Sequence, residues 1–137
     1  MYVSQDKHSI KPAWPFGHGL TYGHSNYADL KVTGRTISFQ VTTTGGCDTP
    51  QVYIGYPGAA TDPKVPTKVL RGFQKICHPE VLDNRQSATP LSFTLTDRDV
   101  SEWNTKEKAW RVVPGKFMVF IGTSSQDIRL TGSLDVR

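Results

Sequence analysis

Few residues in this sequence are of the types that hold metals or attack bonds, and their spacing argues against both uses. The cysteines Cys47 and Cys77 and the histidines His8, His18, His24 and His78 match no zinc or redox pattern. Only His78 beside Cys77 sets two such ligands together, so neither a metal nor a cofactor is expected. The carboxylates Asp97, Asp99, Glu102 and Glu107 fall in turn-like stretches, with no sign of a pocketed acid–base pair. Aromatic rings are the conspicuous side chains. Trp14, Phe16, Tyr22 and Tyr27 crowd the N-terminal stretch with His18 among them, and Trp103 and Trp110 flank a polar loop. Flat rings either pack in a core or offer an apolar face to a partner, a sugar ring or a phenolic polymer. The Trp103–Trp110 pair is read as packing, and the N-terminal cluster as docking.

The elements that must position these rings are strands. Ala28, Leu30 and Val32 alternate with Asp29 and Lys31, and Ile37, Phe39 and Val41 alternate with Ser38 and Gln40. The period of two returns at Val52–Tyr56, Val69–Ile76, Leu91–Leu95, Phe117–Ile121 and Ile128–Val136, with Gly72 read as a bulge. One wet and one buried face on each strand predicts an all-β, antiparallel β-sandwich of about seven strands. The Thr96–Asp99 spacing, ahead of Val100 and Trp103, predicts a single helical turn. Residues 1–26 show no clear alternation and read as an extended segment lying on the sandwich or on a neighbour; residues 27–137 form the sandwich.

A chain of 137 residues holds one domain with a true core. Hydrophobic residues at 36% and charged residues at 20% are those of a globular protein. The net charge of +4 is scattered, without a basic stripe, so neither nucleic acid nor membrane is an expected partner. Residues 1–7 lack the apolar stretch of an export signal.

The run Asp6–Tyr22, with Trp14-Pro15-Phe16-Gly17-His18-Gly19-Leu20-Thr21-Tyr22 at its heart, resembles the junction before the last domain of glycoside hydrolase family 3 β-glucosidases. Gln51–Pro57, Lys68–Lys75, Phe93–Trp103, Trp110–Gly115 and Gly122–Leu130 follow in the family's order, with a fungal cast in Asp6-Lys7-His8 and Pro57-Gly58-Ala59-Ala60. The resemblance covers nearly the whole chain. It implies an immunoglobulin/fibronectin type III-like sandwich, the non-catalytic C-terminal accessory domain of an extracellular β-glucosidase. Catalytic residues of the family lie on upstream domains, so no residue here is expected to be catalytic. The expected partners are those domains, with Trp14, Phe16, His18, Tyr22 and Tyr27 as docking candidates. The same rings are candidates for adsorbing cellulose, another glycan or lignin. The alternative is a free-standing carbohydrate- or lignin-binding module, or a secreted interaction protein. Departures from the family pattern fall in loops, at Gly45-Gly46-Cys47 and over Ile76–Asn84.

If the Val52 and Val69 strands pair with Val52 facing Gly72, the same register brings Cys47 opposite Cys77. A cytosolic chain would leave two thiols there. A secreted one favours a disulfide, adding on the order of 3 kcal/mol.

Overall fold

A computed structural model describes residues 3, 8–78 and 87–137. The first residues of the N-terminal segment and most of the unusual Ile76–Asn84 loop lie outside the described residues. Alternation becomes strand along the rest of the chain. The strands are β1 Ser25–Thr33, β2 Thr36–Thr43, β3 Gly46–Asp48, β4 Gln51–Gly55, β5 Val69–Phe73, β6 Ile76–His78, β7 Ser87–Thr94, β8 Ser101–Asn104, β9 Ala109–Val112, β10 Gly115–Gly122 and β11 Ile128–Val136. A three-stranded sheet in the order β1-β2-β7 faces a four-stranded sheet in the order β11-β10-β4-β5. All of these pairings are antiparallel. Two short ribbons, β3-β6 and β8-β9, complete the all-β sandwich.

The buried layer is made by the residues that the period of two selects. Ile37, Phe39 and Val41 face Val52, Ile54, Phe117, Val119 and Ile121, all almost wholly excluded from solvent. Phe39 stacks on Phe93 with centroids 6.0 Å apart, and Tyr56 tilts onto Phe117 at 5.0 Å. Burying side chains of this size contributes about 1.5–3 kcal/mol each. The β4–β5 register slips between Val52 and Tyr53, so that Arg71 bulges out between Leu70 and Gly72. Beside that bulge a side chain on Gly72 would press its Cβ to 2.7 Å from the Phe93 ring, so the glycine lets the two sheets close.

Three places depart from simple alternation. The Val69–Ile76 stretch is not one strand. After Phe73 the chain leaves the four-stranded sheet, Gln74 N–H donates to Pro50 O, and Ile76–His78 pairs with β3 instead. The helical turn forms as a 3-10 turn at Arg98–Val100, where the Asp99 carboxylate accepts from Thr96 N–H at 2.8 Å and Thr96 Oγ1 at 2.7 Å. In β1 the pairing shifts between Ala28 and Lys31, and Asp29 adopts φ 56°. That bulge changes which parity faces the core. Tyr27 therefore lies on the buried side along with Leu30 and Val32.

Candidate functional site

The segment before β1 is a strap held across the outer face of the four-stranded sheet. Every residue of β4 is buried, although alternation should leave half of them wet. Tyr53 is fully buried yet stands apart from the cluster between the sheets, so its cover is on the outer side. Its Oη donates to Gln51 Oε1 at 2.5 Å, and Gln51 Nε2 donates to Gly17 O at 2.9 Å and to Thr123 O at 2.8 Å. Ser125 N–H donates to Phe16 O at 2.9 Å, and Thr21 Oγ1 to Cys47 O at 2.8 Å. Gly17 has φ 77° and would drive a Cβ into the Gln51 amide, so only glycine fits under this contact. The amide that holds the strap is thus itself held by a buried phenol.

The strap is anchored through its backbone, which leaves its apolar side chains outside. Trp14 is 73% exposed, Leu20 95% and Tyr22 wholly exposed, with Ile10 and Phe16 also open. Trp14 and His18 stack at 5.0 Å, which stiffens this crest. Of the docking candidates, Trp14, Phe16, His18 and Tyr22 therefore share one exposed segment. Tyr27 does not belong with them. It is 7% exposed, because the β1 bulge turns it inward, and its Oη donates to Asp48 Oδ2 at 2.8 Å. Burial, and then the bond to Asp48, push its phenol well above the usual range.

Trp103 and Trp110 also differ from their reading as packed residues. They face each other across the β8–β9 ribbon with centroids 5.4 Å apart, each a little under half exposed. The Arg98 guanidinium covers the Trp110 ring at 3.1 Å. The pair is a surface stack that closes a hairpin, with Asn104 Oδ1 accepting from the N–H groups of Lys106 and Glu107 in its turn.

Between the strap and the sandwich end runs an open groove of about 620 Å³. Asp48, Gln51, Thr123, Asp127 and Arg129 line it together with the strap glycines Gly17, Gly19 and Gly23. Arg129 grips Asp127 through Nε at 2.7 Å and Nη2 at 2.9 Å, and Thr123 Oγ1 donates to the same carboxylate at 2.8 Å. The Arg129 bond holds the Asp127 carboxyl below the ordinary carboxylate range and pushes Arg129 upward in turn. None of these groove residues was singled out from the sequence. Gln51 sits in one of the family-like motifs, Thr123, Asp127 and Arg129 in another, and Gly17 and Gly19 in the Trp14–Tyr22 run, but nothing in their spacing announces that the motifs converge on one groove.

Cys47 and Cys77 face each other in the β3–β6 ribbon and are joined by a disulfide, with Cα atoms 4.0 Å apart. Val52 pairs with Gly72 in the same register. The bond ties β6 to β3, the short strand to which Thr21 at the end of the strap is bonded. Among the described residues no group of His, Cys, Asp and Glu gathers as a metal site.

The chain matches the fibronectin type III-like domain over residues 48–125. It belongs to that family. This fibronectin type III-like domain is 38% identical to probable β-glucosidase L of Emericella nidulans, over 98% of its own length and 21% of the relative's. It is 33% identical to probable β-glucosidase D of Aspergillus niger, over 96% of its length and 20% of the relative's. The β-D-glucoside glucohydrolase of Trichoderma reesei contains the same fold at TM-score 0.85 and 31% identity, covering 99% of this domain and 22% of that chain. The family 3 β-glucosidase of Bifidobacterium adolescentis does so at TM-score 0.86 and 27% identity, over 98% of the domain and 20% of that chain. The domain thus spans about a fifth of the length of the relatives it matches. No helix among the described residues is long and apolar enough to cross a membrane.

Proposed function

We propose that this is a non-catalytic accessory domain of a β-glucosidase, whose segment ahead of β1 docks on the catalytic domains; because β1 pairs from Ser25, the sandwich takes in Ser25 and Asn26 beyond the expected 27–137. The carrying observation is the crest of Ile10, Trp14, Phe16, Leu20 and Tyr22, exposed on a strap whose own backbone is firmly bonded to the sandwich. A rigid row of exposed apolar side chains marks an interaction surface. In a domain that spans a fifth of its relatives, the rest of such a chain is the natural occupant. The disulfide fits the oxidising, extracellular setting expected of such an enzyme.

The test replaces Trp14, Leu20 and Tyr22 with Ser in the full-length parent enzyme. The expected result is a melting temperature lowered by several degrees and faster proteolytic separation of the domain, with the melting temperature of the isolated domain unchanged. An unaltered parent would overturn the docking role. The same crest supports a second reading, adsorption to an apolar cell-wall polymer such as lignin. Under it, the Trp14→Ala/Phe16→Ala variant of the isolated domain loses adsorption in a depletion assay.

A further inference from the structure

The groove behind the strap adjoins the exposed crest, sharing Leu20 with it, but its chemistry differs. Its polar groups are locked before any ligand arrives. Tyr27 holds Asp48, whose Oδ1 also accepts from Thr49 N–H at 2.7 Å, and Arg129 with Thr123 holds Asp127. Groups already fixed lose little freedom on binding. Each carboxylate oxygen has lone pairs beyond these bonds, and the guanidinium of Arg129 has five N–H donors, of which Asp127 takes two.

We infer that this groove is a binding site for a neutral polyhydroxylated ligand, a sugar ring with vicinal hydroxyls, held between Asp48, Asp127 and Arg129. Charge selects against the alternatives. Two carboxylates against one guanidinium disfavour an anion; His24 and Leu20 are the aromatic and apolar members of the lining, and no Phe, Tyr or Trp ring joins them to make a floor for a lipid or a phenol. A vicinal diol both donates and accepts over a short span, which matches carboxylate and guanidinium set side by side. The volume of about 620 Å³ lies in the range of small-ligand sites, about 300–1,000 Å³. Glycines along the strap keep the wall low on one side. A Cβ at Gly19 would meet nothing within 4 Å, so the space beside it is open. The inference stands on the groove alone and does not require docking by the crest.

The test is a titration of the isotope-labelled 137-residue chain with D-glucose and with cellobiose, followed by amide NMR. The expected result is saturable shifts at Gly19, Thr49 and Thr123. Arg129→Met should weaken binding by about tenfold or more, the loss of charged hydrogen bonds. Gly19→Trp replaces no member of the polar network, puts a bulky ring at the groove wall, and should abolish the shifts while the rest of the spectrum stays native. An absence of saturable shifts with either sugar, or shifts centred on Trp103 and Trp110 instead, would overturn the assignment. Either result leaves the docking role to be judged by its own experiment.

Discussion

Gly17 shows most directly how one residue type controls this surface. Its positive φ and the Gln51 amide against its Cα hold the strap on the sheet. Gly17→Ala should cost about 1–3 kcal/mol from strain and overpacking. The expected outcome is a lower urea midpoint together with faster hydrogen exchange in the strap. A variant with wild-type exchange there would show that the strap tolerates the added methyl. Tyr27 gives a second residue-scale prediction, with a definite sign. Burial and Asp48 raise its phenol pKa in the folded state, so the fold keeps a proton that the unfolded chain releases above about pH 10. Its contribution is fully present below that pH and is lost as pH rises further. Tyr27→Phe should flatten the alkaline limb of the stability profile, and should cost about 1–2 kcal/mol at neutral pH through the lost bond to Asp48. Urea unfolding of both proteins at neutral pH and above pH 10 checks both statements.

At the scale of elements, the short ribbon β3–β6 depends on its disulfide. Three facing pairs, Gly46–His78, Cys47–Cys77 and Asp48–Ile76, are few for an independent ribbon. The bond spans 30 residues of sequence, so removing it should cost on the order of 3 kcal/mol. For a domain of this size that corresponds to a melting temperature lowered by about 10 °C. Calorimetry with and without a thiol reductant reads the shift. Cys47→Ser/Cys77→Ser should match the reduced protein and be insensitive to the reductant. Since Thr21 donates to Cys47 O, hydrogen exchange should rise at the strap's end as well.

At the scale of the molecule, the exposed crest on an otherwise well-satisfied fold predicts association when no partner covers it. The isolated domain should show concentration-dependent self-association in sedimentation experiments, reduced when Trp14, Leu20 and Tyr22 are replaced by Ser. Equal sedimentation of the two proteins would mean that the crest is too narrow to bind a second apolar surface. The β8–β9 ribbon carries the Trp103–Trp110 stack under Arg98, a smaller patch with one ring face already covered.

Much of this was legible from the chain alone. The alternating positions Ile37, Phe39, Val41, Phe117, Val119 and Ile121 form the core because a period of two leaves each strand one face to bury. The run Trp14–Tyr22 carried the family resemblance, and its lack of alternation marked it as something other than a strand. Tyr27 was misplaced because one bulged residue at Asp29 exchanges the two faces of a strand, and composition does not announce a bulge. Trp103 and Trp110 were misjudged because the same ring is at home in a core or on a hairpin surface. The groove was invisible for a different reason. Asp127 and Arg129 are close neighbours in the chain, but Asp48 lies far from them in sequence, and only the assembled sheets set the three side by side, with the strap closing the groove over them. Local pattern determines which face of a strand is apolar; which polar residues meet is decided by register, bulges and the path of the strap, which are properties of the assembled sheets.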